Sequence, residues 1–173
     1  MHIMLRLEER QLNESEISLL MSAIKQITSI FYIKKSMWSA YKYVYVIMKE
    51  SEFIGVCVVV PFKNWKKIGP IIILNEFRDQ GFGRKVFKEV IKRNRKSNLF
   101  LGSSNPKIHN IIKDFGCEYT SSFFKIPKEG KYYILKHLFK TMSWNFILEF
   151  FQKLPKRIQS EYKYFYKYGK NVN

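Results

Sequence analysis

The 173-residue sequence predicts an α/β fold, a mixed, mainly antiparallel central sheet flanked by helices, with a C-terminal helical, basic and aromatic extension. Three observations carry this. Short segments alternate apolar and polar residues, the period of a half-buried strand. Other segments repeat apolar residues every three or four positions, the period of a helix packed on one face. And an apolar run, Ile71-Ile72-Ile73-Leu74, leads through Asn75-Glu76-Phe77 into Arg78-Asp79-Gln80-Gly81-Phe82-Gly83 and a basic amphipathic segment, which reads as strand, tight turn and helix.

Taken in order, residues 2–7 set Ile3, Leu5 and Leu7 against polar neighbours and read as a strand. A helix is expected over residues 14–30, apolar at Ile17, Leu20, Met21, Ile24, Ile27 and Ile30, with Asn13 or Ser15 able to cap it. Residues 43–48 and 53–60 are rich in β-branched and aromatic side chains, and the polar Lys49-Glu50-Ser51-Glu52 joins them as a hairpin. Residues 68–74 form the next strand, after Asn64-Trp65-Lys66-Lys67. Past the glycine turn, Val86, Phe87, Val90 and Ile91 share one side of a helix whose outer face carries Lys85, Lys88, Glu89 and Lys92.

A short strand over residues 98–101 precedes a capped helix with Pro106 at an early position and Gly116 at its close. Residues 119–126 and 131–137 then read as two strands around a Pro127-Lys128-Glu129-Gly130 turn. Phe146, Ile147, Phe150, Phe151 and Leu154 make the apolar face of a further helix over residues 143–154, capped by Ser143 and ended by Pro155. Packing against the domain, or homodimerisation, would cover that face; contact with a membrane surface is the lesser alternative. The domain is expected over residues 1–138 and the extension over residues 139–173.

Composition narrows the class. A chain that is 46% hydrophobic and 17% aromatic is not a disordered one. No apolar run approaches membrane-spanning length, and the first residues form a strand pattern with Glu8 and Glu9 close behind instead of a secretory leader. Cys57 and Cys117 lack metal-ligand spacing and read as reduced thiols of a cytoplasmic protein. With 31 Lys and Arg against 14 Asp and Glu, the formal net charge is +17, which favours an anionic partner.

The glycine turn is where chemistry can be placed. Two glycines two apart let the backbone curl with its N–H groups converging, and a helix starting there adds free N–H groups and a positive dipole end. An anionic pyrophosphate suits such a turn. A dinucleotide fingerprint is excluded because the residue three after Gly83 is Val86, and a P-loop because Arg84 and Lys85 follow Gly83 where Lys and Ser or Thr are needed.

Arg78, Gly81 and Gly83 do match R-x-x-G-x-G, which resembles the acetyl-coenzyme A pyrophosphate loop of the GNAT acyltransferase superfamily. Asn105 and Gly116 match a second segment of that superfamily, while Ile108, Ile112 and Cys117 depart from it. The order of strands and helices over residues 1–138 is also similar to the superfamily's.

The resemblance implies the GNAT acyl-CoA N-acyltransferase fold, with acetyl-CoA as donor and direct attack by a primary amine on its thioester. Arg78, Asp79, Gln80, Gly81, Phe82, Gly83 and Arg84 would then hold the pyrophosphate, chiefly through backbone N–H groups. Backbone groups of Ile72, Ile73 and Leu74 would bind the pantetheine arm where the sheet splays, those of Ile73 and Leu74 serving as the oxyanion hole. Asn105 would hydrogen-bond the arm, or simply cap its helix. The family's frequent general acid is a tyrosine, and its position here holds Ile112. Because a thiol's pKa is around 8 to 9, the leaving group can depart without that acid.

Ser103, Ser104, His109 and Tyr119 are the substitutes in reach, of which Ser104 and Tyr119 are carried forward as catalytic candidates. Glu50, Glu52, Glu76 and Glu118 stand near strand ends and could serve as a base, or be solvated edge charges. The tail interleaves Lys153, Lys156, Arg157, Lys163, Lys167 and Lys170 with Tyr162, Tyr164, Phe165, Tyr166 and Tyr168. That pattern suits nucleic acid, as in the phage Mom family of DNA modifiers or GNAT toxins that acetylate aminoacyl-tRNA, and it equally suits packing back on a sheet. A non-catalytic acyl-CoA binder is the third class.

Overall fold

A computed structural model describes residues 5–27, 30, 33–141 and 162–169 of the chain. In order they form β1 (Leu5–Glu9), α1 (Glu14–Gln26), α2 (Lys35–Ala40), β2 (Val44–Lys49), β3 (Glu52–Phe62), β4 (Trp65–Ile73), α3 (Phe82–Arg93), β5 (Asn98–Ser103), α4 (Pro106–Lys113), β6 (Glu118–Thr120), α5 (Lys128–Thr141) and β7 (Lys163–Lys167). One seven-stranded sheet runs β1-β2-β3-β4-β5-β7-β6. Every neighbouring pair is antiparallel except β4 and β5, which run parallel.

Local chemistry explains the elements that hold. Asn13 caps α1 through a capping box: its side chain accepts from the Glu16 N–H at 2.9 Å, and Glu16 accepts from the Asn13 N–H at 2.9 Å. Ile17, Leu20 and Ile24 of α1 are buried against the sheet, and Val86, Phe87 and Val90 of α3 lie wholly inside. The apolar central strands supply the rest of this core, with Val46, Ile47, Ile54, Val56 and Ile72 all fully covered. Among the described residues, no helix is long and apolar enough to cross a membrane.

Four expectations need correction. The Glu14 helix stops at Gln26, and a separate short helix, α2, buries Met37 and Trp38. β4 begins at Trp65, so Trp65, Lys66 and Lys67 belong to the strand and not to the connection before it. Residues 131–137 are not a strand: they lie in α5, where Gly130, Tyr133, Ile134 and His137 recur at helical spacing on the covered side. The strand expected over residues 119–126 shrinks to β6, after which Phe123–Lys125 make a 3-10 turn.

The Lys- and Tyr-rich tail is likewise not wholly an appendage. Its residues 163–167 are β7, which sits between β5 and β6. Phe165 is fully buried on one face, while Tyr164 and Tyr166 pack with Trp65, Phe100 and Ile126 in a second apolar cluster on the other. The helix expected over residues 143–154 lies outside the described residues.

Candidate active site

β4 and β5 are paired only from Trp65↔Asn98 to Lys67↔Phe100. Beyond that point β4 stays on β3 while β5 goes to β7, so the sheet forks between residues 68–73 and residues 101–103. A fork in a sheet leaves backbone hydrogen-bonding groups without a neighbour strand, and those groups are the ones a guest can use.

Alternation along β4 decides which groups these are. Leu74 donates its N–H to Ile54 O at 2.9 Å, and Ile72 O lies against Gly55, so the peptide groups of Ile72 point to β3 and those of Ile73 into the fork. Ile73 O already accepts from Arg78 Nε at 2.9 Å. Leu74 O accepts from the Phe77 N–H at 3.0 Å. Of the three residues expected to face an acyl donor, Ile73 alone has an N–H without a partner among the described residues. Both backbone groups of Leu74 are committed, which removes it from the expected oxyanion hole.

At the open end of the fork, the turn 78–83 enters α3. Asp79 has φ +60° and Gly81 φ +78°, two left-handed residues that curl the chain so that successive N–H groups turn to one side. Gly81 is the N-cap of α3 and supplies no side-chain cap; the first helical bond is Lys85 N–H to Gly81 O at 3.2 Å. The N–H groups of Phe82, Gly83 and Arg84 therefore have no partner among the described residues, and no acidic residue stands in the first turn. A side-chain carbon at Gly81 or Gly83 would meet nothing within 4 Å, so the surface above the turn is open.

Side chains fix this turn and leave its amides bare. Phe77 and Phe82 are buried on either side of it as anchors. Gln80 Nε2 donates to Glu76 O at 3.1 Å. Asp79 pairs with Lys107, and Arg84 with Asp114, tying the turn and the first turn of α3 to the two ends of α4. The Lys107 hydrogen bond holds the Asp79 carboxyl below its ordinary pKa. Arg78 spends its Nε on the strand end, which makes it first a brace of the turn.

Across the fork, Asn105 caps α4 by accepting from the Lys107 N–H at 3.0 Å, so its side-chain oxygen is engaged as a cap. Ser104 is buried in the β5–α4 connection, and Ser103 O meets His109 Nε2 at 2.7 Å. His109 also packs on Phe165, with ring centroids 5.3 Å apart, which makes it a satisfied core histidine and not an exposed one. Ile112 is fully buried.

Tyr119 stands elsewhere. It is half exposed on β6, separated from β5 by β7, with Lys113 and Lys163 over its ring. Among the carboxylates, Glu50 lies in the β2–β3 turn, Glu52 begins β3 and Glu118 begins the outermost strand; Glu76 lies in the 3-10 turn after β4. The fold thus brings Ile73, Arg78 to Arg84 and Asn105 around one fork and leaves Tyr119, Glu50, Glu52 and Glu118 outside it.

What residue spacing does not reveal is Lys67, at the closed end of the fork. Its Nζ donates to Gly69 O at 2.8 Å and lies 5.8 Å from the Tyr133 ring. Standing just before Gly69-Pro70, it has the look of a loop lysine in the sequence.

No protein-family model matches the chain, and no curated protein matches it in sequence. Solved structures do. N-acetylglutamate synthase from Neisseria gonorrhoeae, complexed with coenzyme A and N-acetyl-glutamate, superposes with a TM-score of 0.64 at 11% identity over 95% of this chain and 35% of its own. The chain thus spans about a third of that protein's length. A GNAT family acetyltransferase from Elizabethkingia anophelis with acetyl-CoA bound gives a TM-score of 0.51 at 20% identity, covering 74% of this chain and 90% of that one. Diaminobutyrate acetyltransferase from Paenibacillus lautus, in complex with its substrate and coenzyme A, gives 0.55 at 8% identity, covering 69% and 81%. The forked sheet, the strand order and these superpositions together give the chain the fold of the GNAT acetyltransferases.

Proposed function

We propose that this chain is an N-acyltransferase that moves an acetyl group from acetyl-CoA to a primary amine. The observation that carries the reading is the uncapped N-terminus of α3, three unpartnered N–H groups behind two left-handed residues, opening on a fork in the sheet. Phosphates are what such amides bind best. The structural neighbours captured with coenzyme A or acetyl-CoA support the same donor.

Acetyl-CoA supplies an activated acyl group on a thiol that leaves near neutral pH. The chain's residues would do the following. The amides of Phe82, Gly83 and Arg84 hold the pyrophosphate, while Arg84 and Lys107 stand close enough to exchange their carboxylate partners for phosphate. The Ile73 N–H faces the fork as the donor for a carbonyl oxygen that gains charge as the amine attacks. Ile112 cannot protonate the departing thiolate, so that proton comes from solvent or the acceptor. The net charge of +17 supports an acceptor that is anionic, or carried on an anionic scaffold.

Gly83 gives the sharpest test. Because its would-be Cβ points into open space, Gly83→Trp should fold normally yet fill the cradle. Coenzyme A is expected to raise the melting temperature of the unsubstituted protein, by mass action, and to leave that of Gly83→Trp unmoved. Equal shifts in both proteins, or none in either, would remove the basis for the reading. An amine screen that follows released coenzyme A thiol then identifies the acceptor.

A further inference from the structure

Where α3 ends, at Arg93 and its C-cap Asn94, a cavity of about 370 Å³ lies between the helix end and the sheet. Four strands floor it. Glu9 of β1 stands opposite Tyr45 of β2, Tyr43 O accepts from the Val59 N–H of β3 at 2.9 Å, and Pro61 of β3 stands opposite Lys66 of β4, so one row of side chains crosses the sheet. The twelve residues of α3, about 18 Å of helix, separate this cavity from the glycine turn. It is a second site and not an extension of the first.

Its polar groups are held in place and not used up. Asn94, only 4% exposed, donates from Nδ2 to Val90 O at 2.8 Å and accepts at Oδ1 from Lys66 Nζ at 2.8 Å. A buried amide thus aims the Lys66 ammonium and leaves two of its three N–H bonds unspent. Arg93 gives Nε to Glu89 at 3.0 Å and sets its guanidinium 5.5 Å from the Tyr45 ring, while its terminal nitrogens have no hydrogen-bond partner among the described residues. Tyr43 is 46% exposed, and its ring has no aromatic or cationic partner among the described residues. Glu9 makes no ion pair among them either, with Lys66 and Arg93 in the same cavity.

Two cations, a bare aromatic ring and a separate carboxylate suit a nucleotide. Phosphate oxygens match Lys66 and Arg93, a planar base matches the face of Tyr43, and the Glu9 carboxylate accepts from a base that carries an exocyclic amine. The surroundings extend this beyond one nucleotide. Lys92-Arg93-Asn94-Arg95-Lys96 sets four cations in five residues at the mouth, and Lys92, Arg95 and Lys96 are exposed and without an acidic partner among the described residues. One phosphate does not need that row; a continuing backbone does. We propose that this cavity takes one base of a single-stranded nucleic acid whose backbone follows the basic turn after α3. A duplex is excluded because its bases are stacked and paired, out of reach of Tyr43 and Glu9.

The test is fluorescence anisotropy on the full chain with labelled short strands of cytidine, adenosine or uridine. Cytidine and adenosine strands should bind more tightly than uridine, and a duplex of equal length more weakly than any of them. Tyr43→Ala should lower affinity about tenfold and Tyr43→Phe restore it, because stacking needs the ring alone. Glu9→Ala should erase the preference for amine-bearing bases without weakening the uridine strand. Tyr43→Ala with unchanged affinity, a duplex bound as tightly as a single strand, or cytidine monophosphate bound as tightly as the cytidine strand overturns the proposal. Gly83→Trp fills only the glycine turn, so it should bind the strand as the parent does; loss of binding there would put the strand at that turn and sink this site. Melting-temperature shifts with coenzyme A on the same preparations keep the two readings separate, since either can fail while the other stands.

Discussion

Gly55 shows how one residue can hold the fork. A Cβ placed there would stand 2.1 Å from Ile72 O and 3.0 Å from Ile73 Cα, both backbone atoms of β4 that cannot swing away. Gly55→Ala must therefore push β4 off β3 just where the Ile73 N–H is aimed. We expect a destabilisation of about 3 kcal/mol in chemical denaturation, the upper end for overpacking, together with a weakened response to coenzyme A. Glu16 illustrates a different dependence. It is buried, and although burial alone would raise its pKa, hydrogen bonds from Arg10 at 2.7 Å and from the Asn13 N–H lower it. A carboxyl lowered on folding adds its full stability above its unfolded value, about 4.3, and loses that contribution progressively as pH falls from there through the lower value of the folded state. Glu16→Gln should thus cost about 2 kcal/mol at neutral pH, discounted somewhat for the partly exposed Arg10. The gap from the parent should close below about pH 4; a pH-independent gap would show that the charge is not what matters.

Elements are legible in proportion to how far their period outruns their composition. α1 and α3 carry long apolar stripes, and Asn13 with Glu16 marks a helix start in two letters. The glycine turn is equally readable, since φ +78° at Gly81 is a requirement that glycine meets most easily. α2 is not, because six residues with two buried side chains make no periodic pattern. α5 misleads for a physical reason: Tyr132, Tyr133 and Ile134 favour strands by type, while Gly130, Tyr133, Ile134 and His137 are spaced for a helix. Gly130 looks like a turn residue, yet its missing side chain lets α5 sit on Phe100, whose ring would stand 3.0 Å from an added Cβ. The site divides the same way. Its amides follow from glycine spacing, whereas the commitment of Leu74, the withdrawal of Arg78 to Ile73 O and the bond of Lys67 to Gly69 O depend on strand register, which no local pattern encodes.

For the whole molecule, the decisive strand is the one that composition disguises. β7 pairs with β5 on one side and β6 on the other, so residues far apart in sequence close the sheet beyond the fork. Lys167 Nζ donates to Phe115 O at 2.6 Å and the Gly169 N–H to Asn98 Oδ1 at 2.9 Å, fastening its end to the α4 exit and the start of β5. Several aromatics that suggest base stacking are thereby spent: Phe165 is in the core, and Tyr164 stacks on Phe100 at 6.3 Å. Deleting residues 162–173 should consequently abolish cooperative unfolding by calorimetry, because it strips β5 of its neighbour and uncovers Phe100 and Leu101. Failure of that truncation to bind nucleic acid would then report only a broken fold. The charge itself is better probed on α3, where Lys85, Lys88 and Lys92 are exposed and free of the core. Replacing the three with serine should leave the melting temperature within a few degrees. If an anionic scaffold is held on that face, the same change should flatten the salt dependence of its binding by up to about one power of salt concentration for each phosphate no longer neutralised. An unchanged slope with intact folding would move the anion-binding surface away from α3.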